Sequence, residues 1–150
     1  MNFDDLIAAL KRDEGLRLKP YLDNAAPPRQ TIGYGRNLDD GGITVQEAHE
    51  MLVRDAIKAQ SAAAALVPTW LMLDDVRQNV LANMAFNLGG GGLAKFKHLL
   101  AAVEVKNWNA AADAMIASRW YGQVGARAVR LADEMRTGVA EWISAARRSS

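Results

Sequence analysis

Residues 13–35 read DEGLRLKPYLDNAAPPRQTIGYG, and this stretch decides the fold prediction. Gly15 is a plausible stop for a first helix that Asn2 can cap. β-branched and aromatic residues alternate with glycine in residues 31–35, which is typical of a strand followed by a turn. Pro27-Pro28 excludes both a regular helix and a central strand at that point. The stretch therefore predicts a small antiparallel sheet with a proline-bearing loop.

A change of hydrophobic period marks the end of this sheet. Residues 39–42 (DDGG) are a strong turn signal, and Thr44 with Glu47 matches a capping box at the start of a helix. The apolar positions of that helix recur every three or four residues, at Val45, Ala48, Leu52, Ala56, Ala59, Ala63 and Leu66. We therefore predict a sheet over about residues 16–43 and one long helix over about residues 44–66, ending before Pro68.

The rest of the chain has helical periodicity. Asp74 or Asp75 begins a helix with a wide apolar face, and the run Gly89–Gly92 ends it. Further helices are predicted over residues 93–105, 108–117 and 126–144, with a break near Gly138. The layout predicts one α+β domain over residues 1–150: a small antiparallel β-lobe and a larger helical lobe (residues 1–13 and 66–150), joined by the long helix. A ligand would bind in a cleft between the lobes.

The composition narrows the class of protein. The chain of 150 residues has no cysteine, which excludes a disulfide framework and a thiolate metal site. No apolar stretch approaches the roughly 20 residues that span a bilayer, and the acidic N-terminus differs from a signal peptide. We expect no membrane anchor and no signal peptide. The mildly basic residues 115–150 would attract an anionic partner or simply form a solvated helix face.

Glu14 and Asp23 flank the first part of the opening stretch, and Thr31 adds a hydroxyl beyond the loop. A glycosidic bond is cleaved by one carboxylic acid that protonates the leaving oxygen and a second carboxylate that activates water or attacks carbon. The pair alone is weak evidence, because the chain has 17 acidic residues and most such pairs are solvated surface charges. Whether the pair is catalytic must therefore be judged from the residues around it.

Three stretches together resemble the phage-type lysozymes, glycoside hydrolase family 24 of the T-even type. They are the opening stretch, residues 83–89 (NMAFNLG) and residues 118–138, which contain SRWYGQ, Arg127-Ala128 and Arg136-Thr137-Gly138. The resemblance covers nearly the whole chain in the same order. It implies a lysozyme-like fold and an endolysin, a muramidase (EC 3.2.1.17) that hydrolyses the β-1,4 bond between N-acetylmuramic acid and N-acetylglucosamine in bacterial peptidoglycan. It implies no cofactor and no metal.

By this resemblance Glu14 is the general acid, Asp23 the second carboxylate and Thr31 the hydroxyl that holds the attacking water. A general acid must keep its proton, and we expect Leu16 and Leu18 to provide an apolar setting for Glu14. Family membership implies inversion, for which the carboxyl groups lie roughly 6.5–9.5 Å apart. The separation of Asp23 from Thr31 is longer than is usual in the family, because residues 25–29 form an extended turn.

Other positions match substrate-binding or supporting residues of the family. Phe86 and Asn87 match an aromatic and an amide that line the cleft, although Phe86 suits the core equally well. Arg36 and Asn37 are further candidates for substrate binding. Arg36 replaces a histidine that pairs with an aspartate, so we predict an ion pair between Arg36 and Asp55.

Five positions in the third matching stretch, together with Asp55, complete the set. Arg127 corresponds to an arginine that reaches back to the acid of the first helix, so Arg127 and Asp55 are predicted to support the site. Trp120 and Tyr121 are assigned to the core, whereas Arg119 and Gln123 are candidate rim contacts.

Several alternatives remain open at this stage. A lytic transglycosylase needs one acid and no base, and a wall-binding or virion-structural domain could keep the fold without catalysis. Direct membrane killing through the basic C-terminal segment, Trp142-Ile143 with Arg147-Arg148, is a third. Our expectation is a monomer that binds peptidoglycan and no nucleic acid. It is made in the host cytoplasm and reaches the periplasmic wall through a holin pore, as a free endolysin or within a virion.

Overall fold

The structure of the protein is a computed structural model that describes residues 2–140. Within these residues the chain forms eight α-helices and one three-stranded antiparallel sheet. The strands are confined to one part of the chain and helices form the rest, which confirms the predicted α+β class. The chain divides into two compact units, Met1–Met51 and Leu52–Ser150.

The first unit begins with helix α1, Phe3–Glu14. The side chain of Asn2 accepts a hydrogen bond from the Asp4 backbone N–H (3.0 Å), and Gly15 ends the helix. Both signals were predicted. We also predicted that residues 1–13 belong to the helical lobe, whereas the structure groups α1 with the sheet. The ammonium of Lys11 lies over the ring of Tyr34 at 5.7 Å, which connects α1 to the turn between the second and third strands.

The sheet contains strands β1 (Arg17–Leu22), β2 (Gln30–Gly33) and β3 (Arg36–Asn37), in that spatial order. Tyr21 on β1 and Asn37 on β3 both pair with Thr31 on the central strand. Thr31 is 3% exposed and is the one buried residue among the described residues of the first unit. The sheet lies within the predicted range, and its register determines where the Thr31 hydroxyl lies.

Helix α2 spans Val45–Leu66, which confirms the predicted long helix. The capping box is present: the Glu47 N–H donates to Thr44 Oγ1 (3.2 Å) and the Thr44 N–H donates to Glu47 Oε2 (2.7 Å). Of the predicted apolar face, Ala59 and Ala63 are buried but Val45 and Leu52 are exposed. The buried part of this face is therefore limited to the second half of the helix.

The second unit is helical. After a 3₁₀ turn at Trp70–Met72 it contains α3 (Asp75–Leu88), α4 (Gly90–Leu93), α5 (Lys97–Glu104), α6 (Trp108–Ile116), α7 (Arg119–Val124) and α8 (Ala126–Thr137). Its fully buried side chains include Leu81, Met84, Leu99, Met115, Leu131 and Met135. Among residues 2–140, no helix combines the length and the apolar composition needed to cross a membrane.

Two of these helices were not predicted. Gly89 ends α3 as expected, but Gly90 begins the extra turn α4, packed so closely on α2 that an added Cβ would lie 3.0 Å from Ala62 Cβ. Helix α7 begins at the N-cap Ser118 and has only six residues, too few to show a clear period. Helix α8 ends at Gly138, where we predicted a break. The predicted continuation to residue 144 lies outside the described residues, as does the basic terminal segment.

A buried arginine caps the end of α8. Arg77 Nε donates to the Met135 carbonyl (2.9 Å), and Nη2 donates to the Arg136 carbonyl (3.1 Å). Nη1 pairs with Asp74 (2.6 Å), and the guanidinium lies 4.0 Å from the centre of the Trp108 ring. Because the last carbonyls of a helix have no partner within the helix, Arg77 supplies the hydrogen bonds that α8 cannot make itself. One side chain thus connects α3, α6 and α8.

Replacing this side chain tests its role. We expect Arg77→Met to lower the free energy of unfolding by about 2–4 kcal/mol, because two helix-end carbonyls would lose their partners. Urea denaturation followed by circular dichroism measures the change. The control is Arg12→Met, which removes an exposed pair with Asp13 and should change stability by less than about 0.5 kcal/mol. Equal losses in the two variants would contradict the capping role.

Candidate active site

Glu14 is the last residue of α1, and its carboxylate lies against the turn between β2 and β3. A Cβ added to Gly35 would lie only 2.7 Å from Glu14 Oε2. Gly35 also has φ 74°, a conformation that favours glycine. Glycine at position 35 therefore permits both the turn and the close approach of the acid.

Glu14 does not lie in the apolar environment that we expected. Leu16 and Leu18 are largely exposed, and Glu14 itself is exposed. Leu16 precedes the edge strand β1 and Leu18 lies near its start, where the pairing register shifts between Arg17 and Tyr21. The prediction that these leucines enclose the acid is wrong, because both leucines and Glu14 are exposed to solvent.

Asp23 follows β1 and closes the proline-bearing loop. Its backbone N–H donates to the Arg29 carbonyl (3.0 Å), and this hydrogen bond joins the first and last residues of the loop. Its Oδ1 accepts hydrogen bonds from the backbone N–H of Arg29 (2.9 Å) and of Ala25 (3.0 Å). These two backbone donors, first Arg29 and then Ala25, lower the pKa of Asp23 below its usual value of 3.8.

Thr31 faces this carboxylate from the neighbouring strand. Its Oγ1 lies 3.4 Å from Asp23 Oδ2 and 3.2 Å from the Arg29 carbonyl. The extended turn raised the question whether Asp23 and Thr31 can lie on the same side. In the structure residues 24–28 form a loop that the Asp23–Arg29 hydrogen bond closes, and the side chains of Asp23 and Thr31 are adjacent.

Arg36 has a different partner from the one predicted. Its Nη2 lies 3.1 Å from Glu47 Oε1, and its Nη1 donates to the Gly42 carbonyl (3.3 Å). The predicted pairing with Asp55 is therefore corrected to Glu47. The capping box holds the Glu47 carboxylate at the start of α2, close to the turn that follows β3, and the Thr44 donors lower the pKa of Glu47. The capping box was predicted from the sequence, but the pairing of Glu47 with Arg36 was not.

Asn37 organises the turn after β3. Its Oδ1 accepts hydrogen bonds from the backbone N–H groups of Asp39 (2.9 Å) and Asp40 (3.1 Å), and its Nδ2 donates to Asp40 Oδ2 (2.9 Å). The side chain thus has a structural role that explains its presence. Its predicted role in substrate binding stays a prediction.

In the second unit, Phe86 lies at the end of α3 and is 44% exposed, so it is not a core residue. It lines a recess of about 320 Å³ together with Asp55, Lys58 and Gly89. Phe86 was expected either to line the cleft or to pack in the core, and its exposure argues against the core. The structure also brings the predicted residues Phe86 and Asp55 to one recess.

Asn87 and Arg127 also have partners within the second unit. Trp120 Nε1 donates to Asn87 Oδ1 (2.8 Å), and Trp120 itself is buried in the core as predicted. Arg127 donates from Nε to Asn83 Oδ1 (2.8 Å), and its Nη2 contacts the same amide. The predicted contact of Arg127 with Glu14 stays a prediction.

A larger cavity of about 960 Å³ lies between α5, α6 and α7. Trp120 and Phe96, whose rings meet edge to face with centres 6.2 Å apart, contribute to its apolar wall. Arg119 and Gln123, the candidate rim contacts, both line it, and so do Lys95 and Lys97. None of the predicted catalytic residues lines this cavity. Arg119 and Gln123 therefore stay candidates for substrate contacts outside the reacting centre.

Arg29 has a structural role in the first unit that was not predicted from the sequence. Its backbone contacts both Asp23 and Thr31, and its side chain pairs with Asp40 (2.7 Å). A signal was present: an arginine between the prolines and Thr31, followed by two aspartates in the next turn. Its main-chain role, however, depends on the path of the loop.

Gly35 offers a direct test of the approach of Glu14 to the turn. We expect Gly35→Ala to lose about 1–2 kcal/mol of stability from its positive φ, and most of its activity because the new Cβ displaces the Glu14 carboxylate. The matched control is Gly33→Ala, with φ 70° and no neighbour within 4 Å of an added Cβ. It should lose similar stability but keep more activity. Thermal melts and hydrolysis rates for both variants give the comparison, and equal activities would contradict it.

Comparison with known proteins gives the family of the chain and several relatives. A family model described as Phage lysozyme matches residues 11–134. The chain is 34% identical to the pre-baseplate central spike protein Gp5 of Enterobacteria phage T4, over 86% of this chain and 27% of that protein. It is 31% identical to the endolysin of Salmonella phage P22, over 73% of this chain and 77% of the relative.

A relative outside the phages is also similar. The probable T4-type lysozyme 2 of Dictyostelium discoideum is 30% identical, over 86% of this chain and 92% of the relative. This chain thus spans about a quarter of the phage T4 spike protein, whereas it spans most of the other two relatives. The match to the family model includes every predicted site residue from Glu14 to Arg127 and supports a peptidoglycan-degrading lysozyme activity. The chain therefore belongs to the phage lysozyme family.

Proposed function

We propose that the chain is a muramidase that hydrolyses the β-1,4 bond between N-acetylmuramic acid and N-acetylglucosamine in bacterial peptidoglycan. Glu14 is the general acid, and Asp23 with Thr31 directs the attacking water. The observation that carries this proposal is the pairing of the Asp23 carboxylate with the buried Thr31 hydroxyl, 3.4 Å apart at the end of the small sheet. Family membership supplies the class of substrate.

The hydrogen bonds around Asp23 suit a water-directing role. Oδ1 is engaged by two backbone donors, which leaves Oδ2, on the side of Thr31, to accept a proton from water. The Thr31 hydroxyl has one proton, and its nearer acceptor is the Arg29 carbonyl. The hydroxyl oxygen can therefore accept a hydrogen bond from the second O–H of the same water. A water held by both acceptors would point an oxygen lone pair at the anomeric carbon.

Glu14 supplies the proton for the leaving oxygen in this mechanism. An acid and a water-directing base on opposite faces of the sugar give inversion, with the carboxyl groups roughly 6.5–9.5 Å apart. Because the pKa of Asp23 is lowered in the folded protein, this carboxylate is still mostly ionised at pH 3.8, its usual pKa. Its contribution to stability is present above that pH and is lost as the pH falls through the lowered pKa.

Substrate contacts are proposed on both units. The exposed ring of Phe86 can stack on a sugar face, and the Asn87 amide N–H₂ can donate to an acetamido carbonyl because its oxygen already binds Trp120. Arg36 and Asn37 would bind substrate at the edge of their turn. Arg127 and Asp55 would support the site, with Arg127 reaching Glu14.

The assembly and the route of the protein are also proposals. We propose a monomeric free endolysin that passes a holin pore to reach periplasmic peptidoglycan. The similarity to a spike protein of phage T4 favours one second candidate, a lysozyme module carried within a virion. Detection of the chain in purified particles by mass spectrometry would favour that candidate.

Digestion of purified peptidoglycan tests the activity itself. We expect the wild type to release muropeptides with reducing muramic acid ends, and Glu14→Gln to reduce the rate by at least about 100-fold, because the acid is lost. Liquid chromatography with mass spectrometry identifies the products. The exposed residue Glu50 provides a control in Glu50→Gln, which should digest at the wild-type rate.

The other outcomes separate the rival functions. Products with 1,6-anhydro-muramyl ends, formed also by Asp23→Ala, would indicate a lytic transglycosylase. Binding to the wall without any product from the wild type would indicate a non-catalytic domain. Killing of cells that persists in Glu14→Gln would indicate membrane damage.

The stereochemistry of the first product tests the role of Asp23. We expect the α-anomer of the new reducing end from the β-linked substrate, because the water attacks from the face opposite to the leaving group. Proton NMR during the first minutes of hydrolysis distinguishes the anomers before mutarotation mixes them. Initial formation of the β-anomer would refute the inverting mechanism and would make Asp23 a nucleophile.

A further inference from the structure

The backbone of Arg29 holds both groups of the proposed water site. Its N–H donates to Asp23 Oδ1 (2.9 Å), and its carbonyl accepts hydrogen bonds from the Asp23 N–H (3.0 Å) and the Thr31 hydroxyl (3.2 Å). The orientation of one peptide segment thus affects the carboxylate and the hydroxyl together. Any contact that fixes residue 29 also fixes the geometry of the site.

The side chain of Arg29 makes such a contact. Its Nη1 lies 2.7 Å from Asp40 Oδ1, in the turn that follows β3. Asp40 is itself held, because its Oδ2 accepts a hydrogen bond from Asn37 Nδ2 (2.9 Å). The next residue also contacts this turn, because the Gln30 N–H donates to Asp39 Oδ2 (2.8 Å). Residues 29–30 are therefore attached to a turn that is already organised by its own hydrogen bonds.

We propose that Arg29 is a positioning residue for hydrolysis, whose ion pair with Asp40 holds the peptide that orients Asp23 and Thr31. This inference rests on the proposed function, because it assigns Arg29 a role in the same water site. Arg29 acts through its neighbours and need not contact the substrate. The ion pair thus connects the end of the extended loop to the turn after β3.

The exposure of the pair predicts which measurement will respond. The Arg29 side chain is 36% exposed and that of Asp40 is 62% exposed. Exposed ion pairs contribute little to the free energy of unfolding. The same pair can nevertheless restrict a loop conformation, and small displacements of catalytic groups strongly reduce rates. Its loss should therefore affect kcat and the pH profile more than the melting temperature.

Loss of the pair should also change the ionisation of Asp23. The Arg29 N–H is the largest contributor to the lowered pKa of Asp23, ahead of the Ala25 N–H. If residue 29 moves, the carboxylate loses a donor that favours its charged form, and the pKa of Asp23 rises. Loss of the Arg29 charge itself raises this pKa as well, whereas Asp40→Asn keeps that charge and isolates the effect of the movement. The acid limb of the pH profile of kcat/KM would then move to higher pH, because Asp23 must be ionised to accept a proton from water.

The experiment compares Arg29→Met with a matched control on soluble peptidoglycan fragments. We expect kcat to fall roughly three- to tenfold, KM to stay unchanged and the acid limb to move upward. Arg29→Lys, which keeps a cation for Asp40, should restore most of kcat. The control is Arg136→Met, because Arg136 pairs with Asp113 at the same distance, 2.7 Å, with closely similar exposures of 35% and 68%. It should leave kcat and the pH profile unchanged.

A double-mutant cycle identifies the pair as the cause. Asp40→Asn should reproduce the loss seen in Arg29→Met, and the double variant should lose no more than either single variant. If Arg29→Met does not fold, Asp40→Asn and Arg29→Lys carry the same comparison. The proposal is overturned if these variants have the kcat and acid limb of the wild type while Asp23→Asn is inactive. An inactive wild type, or an active Asp23→Asn, would instead refute the proposed function.

Discussion

The hydrogen bonds that Asp23 exchanges with Arg29 are the constraint on which the rest of the proposed site depends. The Asp23 backbone donates to the Arg29 carbonyl and the Asp23 side chain accepts from the Arg29 N–H, so the two residues are held at the base of one loop. This closure brings the end of β1 to the beginning of β2, opposite Thr31. The same contacts lower the pKa of Asp23. Loop geometry and the charge of the carboxylate therefore have a common cause.

The two units are stabilised in different ways. The second unit has a continuous apolar core and a buried arginine that caps α8. Among the described residues of the first unit only Thr31 is buried, so this unit depends on turn hydrogen bonds, caps and ion pairs. Such polar contacts are directional, which suits the exact placement of a few groups. They also make the first unit more sensitive to single polar substitutions than its small size alone would suggest.

The predictable parts of the fold are those with local signals. The N-cap Asn2, the capping box of Thr44 and Glu47 and the glycine stops act over a few residues, and the structure contains each of them. Helix α7 was missed because six residues do not show a period, and α4 because glycines signal a stop more strongly than a turn of helix. In the candidate site, too, features with a local signal in the sequence were predicted and long-range contacts were not. The adjacency of Asp23 and Thr31 follows from strand pairing, whereas the partner of Arg36 and the exposure of Leu16 and Leu18 depend on contacts that a single sequence does not encode locally.

The extended loop shows why length and geometry should be considered separately. Closing a flexible loop becomes less favourable by only about 0.6 kcal/mol for each doubling of its length, so a slight extension costs less than that. The orientation of the groups at the ends of the loop, by contrast, depends on how firmly those ends are held. Asp23 holds one end with its own backbone and carboxylate, and the pairing of Arg29 with Asp40 holds the other. Insertions at the tip can therefore accumulate without moving Asp23 from Thr31, provided that these anchors are kept.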